Sequence, residues 1–266
     1  MTDHGIDPIK DMAAVREATD RLLVTARGLD DAALREPSRL TGWTRGHVLA
    51  HIARNADALL NVLTAARTGT HVPMYASAES RTADIERDAP RPLGTQIQDL
   101  AASAERFNNE AAALHSAAWP RTVELRNGVT DVAARVPFRR LIEVELHHVD
   151  LGAGCTVADL PASFVDRDLE YVAGERFAGR ADVPALVIRV DDGRSWRTGR
   201  GAGGSGGTDE ADDSGAAPDA GEAGEAGEPT IVSGSPAALL GWLTGRSDGA
   251  ALDAGGSALP ALPPLG

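Results

Sequence analysis

Leu141–Asp150, LIEVELHHVD, sets Glu143 four residues before His147 in a segment whose other residues favour a helix. Four residues is just over one helical turn, so both side chains leave the same face. Leu141, Val144, Leu146, Val149 and Leu151 form an apolar stripe beside that face, which puts Glu143 and His147 at the edge of the core or inside it. A carboxylate there is expensive without a partner, and a divalent cation satisfies carboxylate and imidazole together. The two residues are then two of the three protein ligands of an open catalytic zinc site, and His51 in GHVLAHIARNAD is a candidate third. The competing reading is a chance pair, with Glu143 and Glu145 simply solvated.

Working outward, Asp7-Pro8 starts a helix whose apolar positions Ile9, Met12, Val15, Leu22 and Leu23 run to Gly28. Thr44 caps a second helix, carrying His51, that ends before Gly69. Residues from about Thr70 to Arg91 show no steady period and read as a long connection of the sort that shapes a pocket. A third helix spans about Leu93 to His115 and is stopped by Trp119-Pro120. Thr122–Leu125 is extended, and Pro137 opens the helix of Glu143 and His147. Four long helices predict a bundle with a site between facing helices.

The pattern changes after Gly152-Ala153-Gly154. Pro161–Phe177 reads as helix, Ala185–Asp191 as a strand, and Ser195–Thr198 as its return across the Asp192-Gly193 turn. The segment from Gly199 to Glu228 is nearly all Gly, Ala, Ser, Asp and Glu, too polar to offset the entropy of ordering, and is expected to be a disordered insertion. Pro229–Val232 is a further strand, Ser235 caps a helix ending near Gly245, and the rest is an extended tail or edge strand. The expected fold class is α + α/β, with residues 1–154 a four-helix metal-binding domain and 155–266 a small α/β domain interrupted at about 199–228.

Composition excludes several classes of function. A formal charge of −13 and a pI near 4.9 leave no basic face for nucleic acid or an anionic membrane. No run approaches the roughly eighteen apolar residues of a membrane span, and the N-terminus has no signal core, so a cytoplasmic protein is expected. Cys155 is the single cysteine, which rules out an internal disulfide and a thiolate-cluster zinc site. A thiol for chemistry comes from Cys155 or from a small molecule.

Three segments together resemble one family. GWTRGHVLAHIARNADAL (42–59), RRLIEVELHHVDLGAG (139–154) and SPAALLGWLTGR (235–246) are similar, in order and spacing, to the mycothiol-dependent maleylpyruvate isomerases over essentially the whole chain apart from the Gly/Asp/Glu-rich insertion. The resemblance implies a DinB-like four-helix bundle holding a divalent metal, normally zinc, with ligands at His51, Glu143 and His147, and a C-terminal domain similar to sterol-carrier modules. It implies mycothiol as cofactor and isomerisation of maleylpyruvate to fumarylpyruvate in gentisate breakdown. The expected partners are a small-molecule substrate and a low-molecular-weight thiol, and a monomer is expected.

Arg246 matches a family arginine that binds a substrate carboxylate, although a helix-end arginine can also serve carbonyl groups. His47 is read as a surface or supporting residue, His148 as a backbone hydrogen-bonding group, and Asp150 as either an acceptor orienting an imidazole or a plain helix-end residue. Arg54, Asn55, Tyr75 and Arg81 are candidate pocket residues. Two alternatives remain open: a mycothiol S-transferase acting on electrophiles, and a non-catalytic, metal-stabilised binding protein.

Overall fold

The computed structural model describes residues 6–200 and 229–265. They belong to two compact units, Met1–Cys155 and Thr156–Gly266. The first is a helical bundle and the second a small α/β unit. The stretch expected to be a disordered insertion lies outside the described residues from 201 to 228. Gly199 belongs instead to the folded unit: it bridges Ala178, its φ is +74°, and a Cβ there would meet the Val183 carbonyl oxygen at 2.6 Å.

In the first unit, α1 (Pro8–Arg27), α2 (Arg45–Thr68), α4 (Leu93–Ala112) and α5 (Val136–Asp150) make the bundle, with α1 and α2 each packed on both α4 and α5. Asp7 Oδ1 accepts from the backbone of Ile9 and Lys10, and Pro8 occupies the first turn, so α1 starts where the sequence signals it. α2 is capped reciprocally by Thr44 and His47 and ends at Gly69 in the left-handed region. Val48, Leu49, Ile52, Leu59 and Leu63 are buried along α2, each contributing roughly 1.5–3 kcal/mol. Gly46 lets the start of α2 approach closely, since a Cβ would lie 2.3 Å from the Ala89 carbonyl oxygen.

The connection expected over 70–91 is in fact partly helical. α3 (Ala78–Asp88) forms there because Ser77 and Ser80 make a capping box, and the helix docks on α2 through Ile85 and Asp88. Buried Asp88 receives Arg54, Arg87 and Arg91. A helix held by one apolar residue and an arginine cluster has no apolar period to read. β1 (Thr122–Glu124) and β2 (Thr130–Val132) form an antiparallel hairpin, turned by Asn127 (φ 61°) and Gly128 (φ 72°).

In the second unit β3 (Leu186–Val190) is central, antiparallel to β4 (Ser195–Thr198) and parallel to β5 (Thr230–Gly234). α6 (Ala162–Tyr171) widens into a π turn over Val172–Arg176, and packs with α7 (Pro236–Leu243). Asp253 exchanges backbone hydrogen bonds with Ser233, so the tail briefly extends the sheet edge. Among the described residues no helix is long and apolar enough to cross a membrane.

Candidate metal centre

The fold of the first unit brings α2 against α5, and with them His51, Glu143 and His147. His51 Nε2 lies 3.0 Å from Glu143 Oε2 and 3.0 Å from His147 Nε2, and the third side of the triangle, His147 Nε2 to Glu143 Oε2, is 3.2 Å. A tetrahedral zinc with bonds of about 2.0–2.1 Å has ligand atoms about 3.3 Å apart, so the triangle fits an ion after an outward adjustment of a few tenths of an ångström. The donor set, two imidazole nitrogens and a carboxylate oxygen, is also the chemistry that suits zinc and leaves one tetrahedral position for another ligand.

Neighbouring groups fix each ring. Asp150, fully buried at the end of α5, accepts from His147 Nδ1 at 2.8 Å, which turns the Nε2 lone pair toward the triangle. The His51 ring packs edge-on against Trp43 at 5.4 Å and against His147 at 4.6 Å. Arg81 Nη2 donates to His51 Nδ1 at 3.2 Å, so in the metal-free protein Nε2 carries the ring proton.

The electrostatics separate the three groups. Burial, aided by nearby His147 and Arg81, lowers the His51 pKa to about 4 against the pull of Glu143. Burial also opposes charge on His147 and Glu143, but hydrogen bonds win: Asp150 and Glu143 raise His147, while His147 and His51 hold Glu143 well below the usual carboxylate range. Behind Glu143, Arg140 is fully buried, donating through Nη1 to Ile52 O at 2.9 Å and Asn55 Oδ1 at 2.8 Å. Burial brings its pKa down to about 10, with Glu143 the leading opposing charge, so it stays cationic.

The remaining candidates sort themselves by contact. His47 caps α2 and faces Glu86 at 3.3 Å. His148 Nε2 meets Thr25 Oγ1 at 2.8 Å, and Glu145 pairs with Arg21, so both serve the α1–α5 contact. Arg54 and Asn55, expected near a pocket, do not line the cavity between residues 71–82 and 124–127; Arg54 is occupied by Asp57, Asp88 and Asp99 and Asn55 by Arg140. Tyr75 and Arg81 do line it. Cys155 is half-buried at the end of the first unit. Arg246, in the second unit, donates through Nη1 to Thr244 O at 2.8 Å, the contact of a helix-end arginine. Sequence reasoning passed over Trp43 and Arg140; the one available signal was that Arg140 stands three residues, one turn, before Glu143.

If Asp150 orients His147, Asp150→Ala should weaken metal binding by about 10–100-fold with the helix content kept. Competition with a chromophoric chelator measures this, and unchanged affinity would return Asp150 to a purely structural place.

A helical bundle with an inward-facing His/Glu/His triad, followed by a small α/β unit, defines a two-part protein with a candidate metal centre in its first part. The chain matches the family models described as mycothiol maleylpyruvate isomerase N-terminal domain, over residues 15–152, and MDMPI C-terminal domain, over 159–264. It belongs to the mycothiol maleylpyruvate isomerase family. Among solved structures it is similar to the crystal structure of the mycothiol-dependent maleylpyruvate isomerase, with a TM-score of 0.79, 24% identity and 97% of each chain covered. A histidine-to-alanine mutant of that enzyme matches equally well. These likenesses establish the fold. No curated protein sequence matches significantly.

Proposed function

We propose that this chain isomerises maleylpyruvate to fumarylpyruvate, a step of gentisate breakdown, using mycothiol as a reversible nucleophile and zinc held by His51, Glu143 and His147. The carrying observation is the triad itself, three convergent donors with a buried carboxylate orienting one of them, in a chain whose two parts both match this family. A zinc ion bound there would supply Lewis acidity, lowering a thiol's pKa so that thiolate is present near neutral pH.

In the reaction the thiolate sulfur bonds to an alkene carbon, the π electrons move into the adjacent carbonyl, and the former double bond rotates. Reversal of the addition expels the thiolate and leaves the trans alkene, with no net gain or loss of atoms or electrons. Around that chemistry Asp150 holds the His147 ring, Trp43 walls the edge of His51, and Tyr75 keeps its hydroxyl proton, because burial raises its pKa against the nearby Arg81. A protonated phenol lining the cavity can donate to a carbonyl oxygen of the acid.

The test is the absorbance change of maleylpyruvate with zinc-loaded protein, with and without mycothiol, coupled to fumarylpyruvate hydrolysis. Thiol-dependent turnover supports the reading. No turnover despite bound zinc would overturn it and direct the same thiol to electrophiles as a transferase assay. The family resemblance assigns Arg246 to a substrate carboxylate. Arg246→Ala should then lower kcat/KM by about 10–100-fold, the loss of one charged hydrogen-bonded contact, with zinc content unchanged. Unaltered kinetics would return Arg246 to a structural place at the end of its helix.

A further inference from the structure

A cavity of about 320 Å³ opens in the first unit between the segment from His71 to Thr82 and hairpin residues 124–127. That is the low end of small-molecule sites, which run to about 1,000 Å³. Arg81 joins it to the triad, since the same guanidinium lines the cavity and donates to His51 Nδ1. Arg126 lies on the hairpin side, carried there by the left-handed turn at Asn127 and Gly128. Tyr75 lines the same cavity and lies within electrostatic reach of Arg81, Arg126 and Glu143.

The arginines of this unit mostly meet carboxylates: Arg45 with Glu36, Arg54 with Asp88 and Asp99, Arg67 with Glu110, Arg139 with Asp131. Among the described residues Arg81 and Arg126 are in no ion pair. Arg81, half-buried, has instead the His51 ring nitrogen and the Tyr75 ring, 5.8 Å from its guanidinium carbon. Glu124, the only carboxylate of the lining, pairs with neither. Arg81 is half-buried and Arg126 exposed, and a carboxylate accepting from a guanidinium that has no anion forms a strong charge-assisted hydrogen bond.

We propose that Arg81 and Arg126 together hold one carboxylate of the substrate acid in this cavity, setting its double bond beside the His51/Glu143/His147 triad. The assignment rests on the isomerase reading for the identity of the acid. The recognised chemistry is an unsaturated carboxylic acid, whose carbon skeleton lies against the apolar lining of Val72, Met74 and Leu125.

The experiment is calorimetric titration of the zinc-loaded full chain with maleate, which carries the cis double bond and carboxylates but no ketone, and with maleamide as its neutral counterpart. Maleate should bind and maleamide bind far more weakly. Arg81→Gln and Arg126→Gln should each weaken maleate about 10–100-fold, the loss of one charged hydrogen-bonded contact, at unchanged zinc content. Arg126 touches no triad residue, so its variant reports on the cavity alone. Unchanged maleate affinity in either variant overturns the pair, as does equal binding of maleate and maleamide or no binding of maleate at all. Because the readout is equilibrium binding, protein that binds maleate through both arginines yet fails to turn over maleylpyruvate would sink the isomerase reading and leave this site standing.

Discussion

His51→Ala should strip the protein of tightly bound metal and, with it, of thiol-dependent turnover. His51 supplies the one nitrogen that lies 3.0 Å from both other donors, and it is the only member of the triangle contributed by α2. Structural zinc sites bind with about 10–16 kcal/mol over four ligands, so losing one ligand should cost roughly 3–4 kcal/mol, or two to three orders of magnitude in affinity. The fold should survive, because alanine favours the helix and the hydrophobic residues of α2 are untouched. Metal content after dialysis, circular dichroism and turnover give the three readouts. Full metal retention in the variant would remove His51 from the site.

The second large effect concerns stability in the second unit. Asp168 on α6 is fully buried, neither of its carboxyl oxygens has a hydrogen-bond partner, and burial pushes its pKa up from 3.8 to about 7 against the opposing pull of Arg246. A carboxyl whose folded pKa is raised contributes stability that is fully present below the unfolded value and is lost as pH rises through the folded value. The folded state therefore loses ground between about pH 4 and pH 7 and gains no further loss above that. Asp168→Asn cannot ionise and should escape it. The stability difference between variant and parent should shift in the variant's favour by about 3 kcal/mol on going from about pH 5 to pH 8. Urea unfolding at the two pH values, followed by the tryptophans of this unit, measures it. A difference independent of pH would mean that Asp168 is ionised throughout.

Much of the first unit is legible residue by residue. Asp7-Pro8, Thr44 and Gly69 mark helix ends because caps are local chemistry, satisfied within a few residues. The Glu143/His147 spacing is equally local, since one helical turn fixes it. α3 was not legible: its amphipathic signal is a single buried isoleucine, and its docking depends on Asp88 meeting arginines, of which Arg54 is 34 residues away in sequence. The pocket residues show the same limit. Arg54 and Arg81 look alike in sequence, yet one is paired with three aspartates and the other is left facing a cavity.

By itself the sequence determined the helical bundle, the change to an α/β unit after Gly154, and the two donors that share a face of α5, because each depends on periodicity and capping along a continuous stretch. Only the tertiary structure decided that His51 completes the triangle and that Arg81 and Arg126, in no ion pair among the described residues, line one cavity. Those are distances between helices and loops far apart in the chain, and packing sets them.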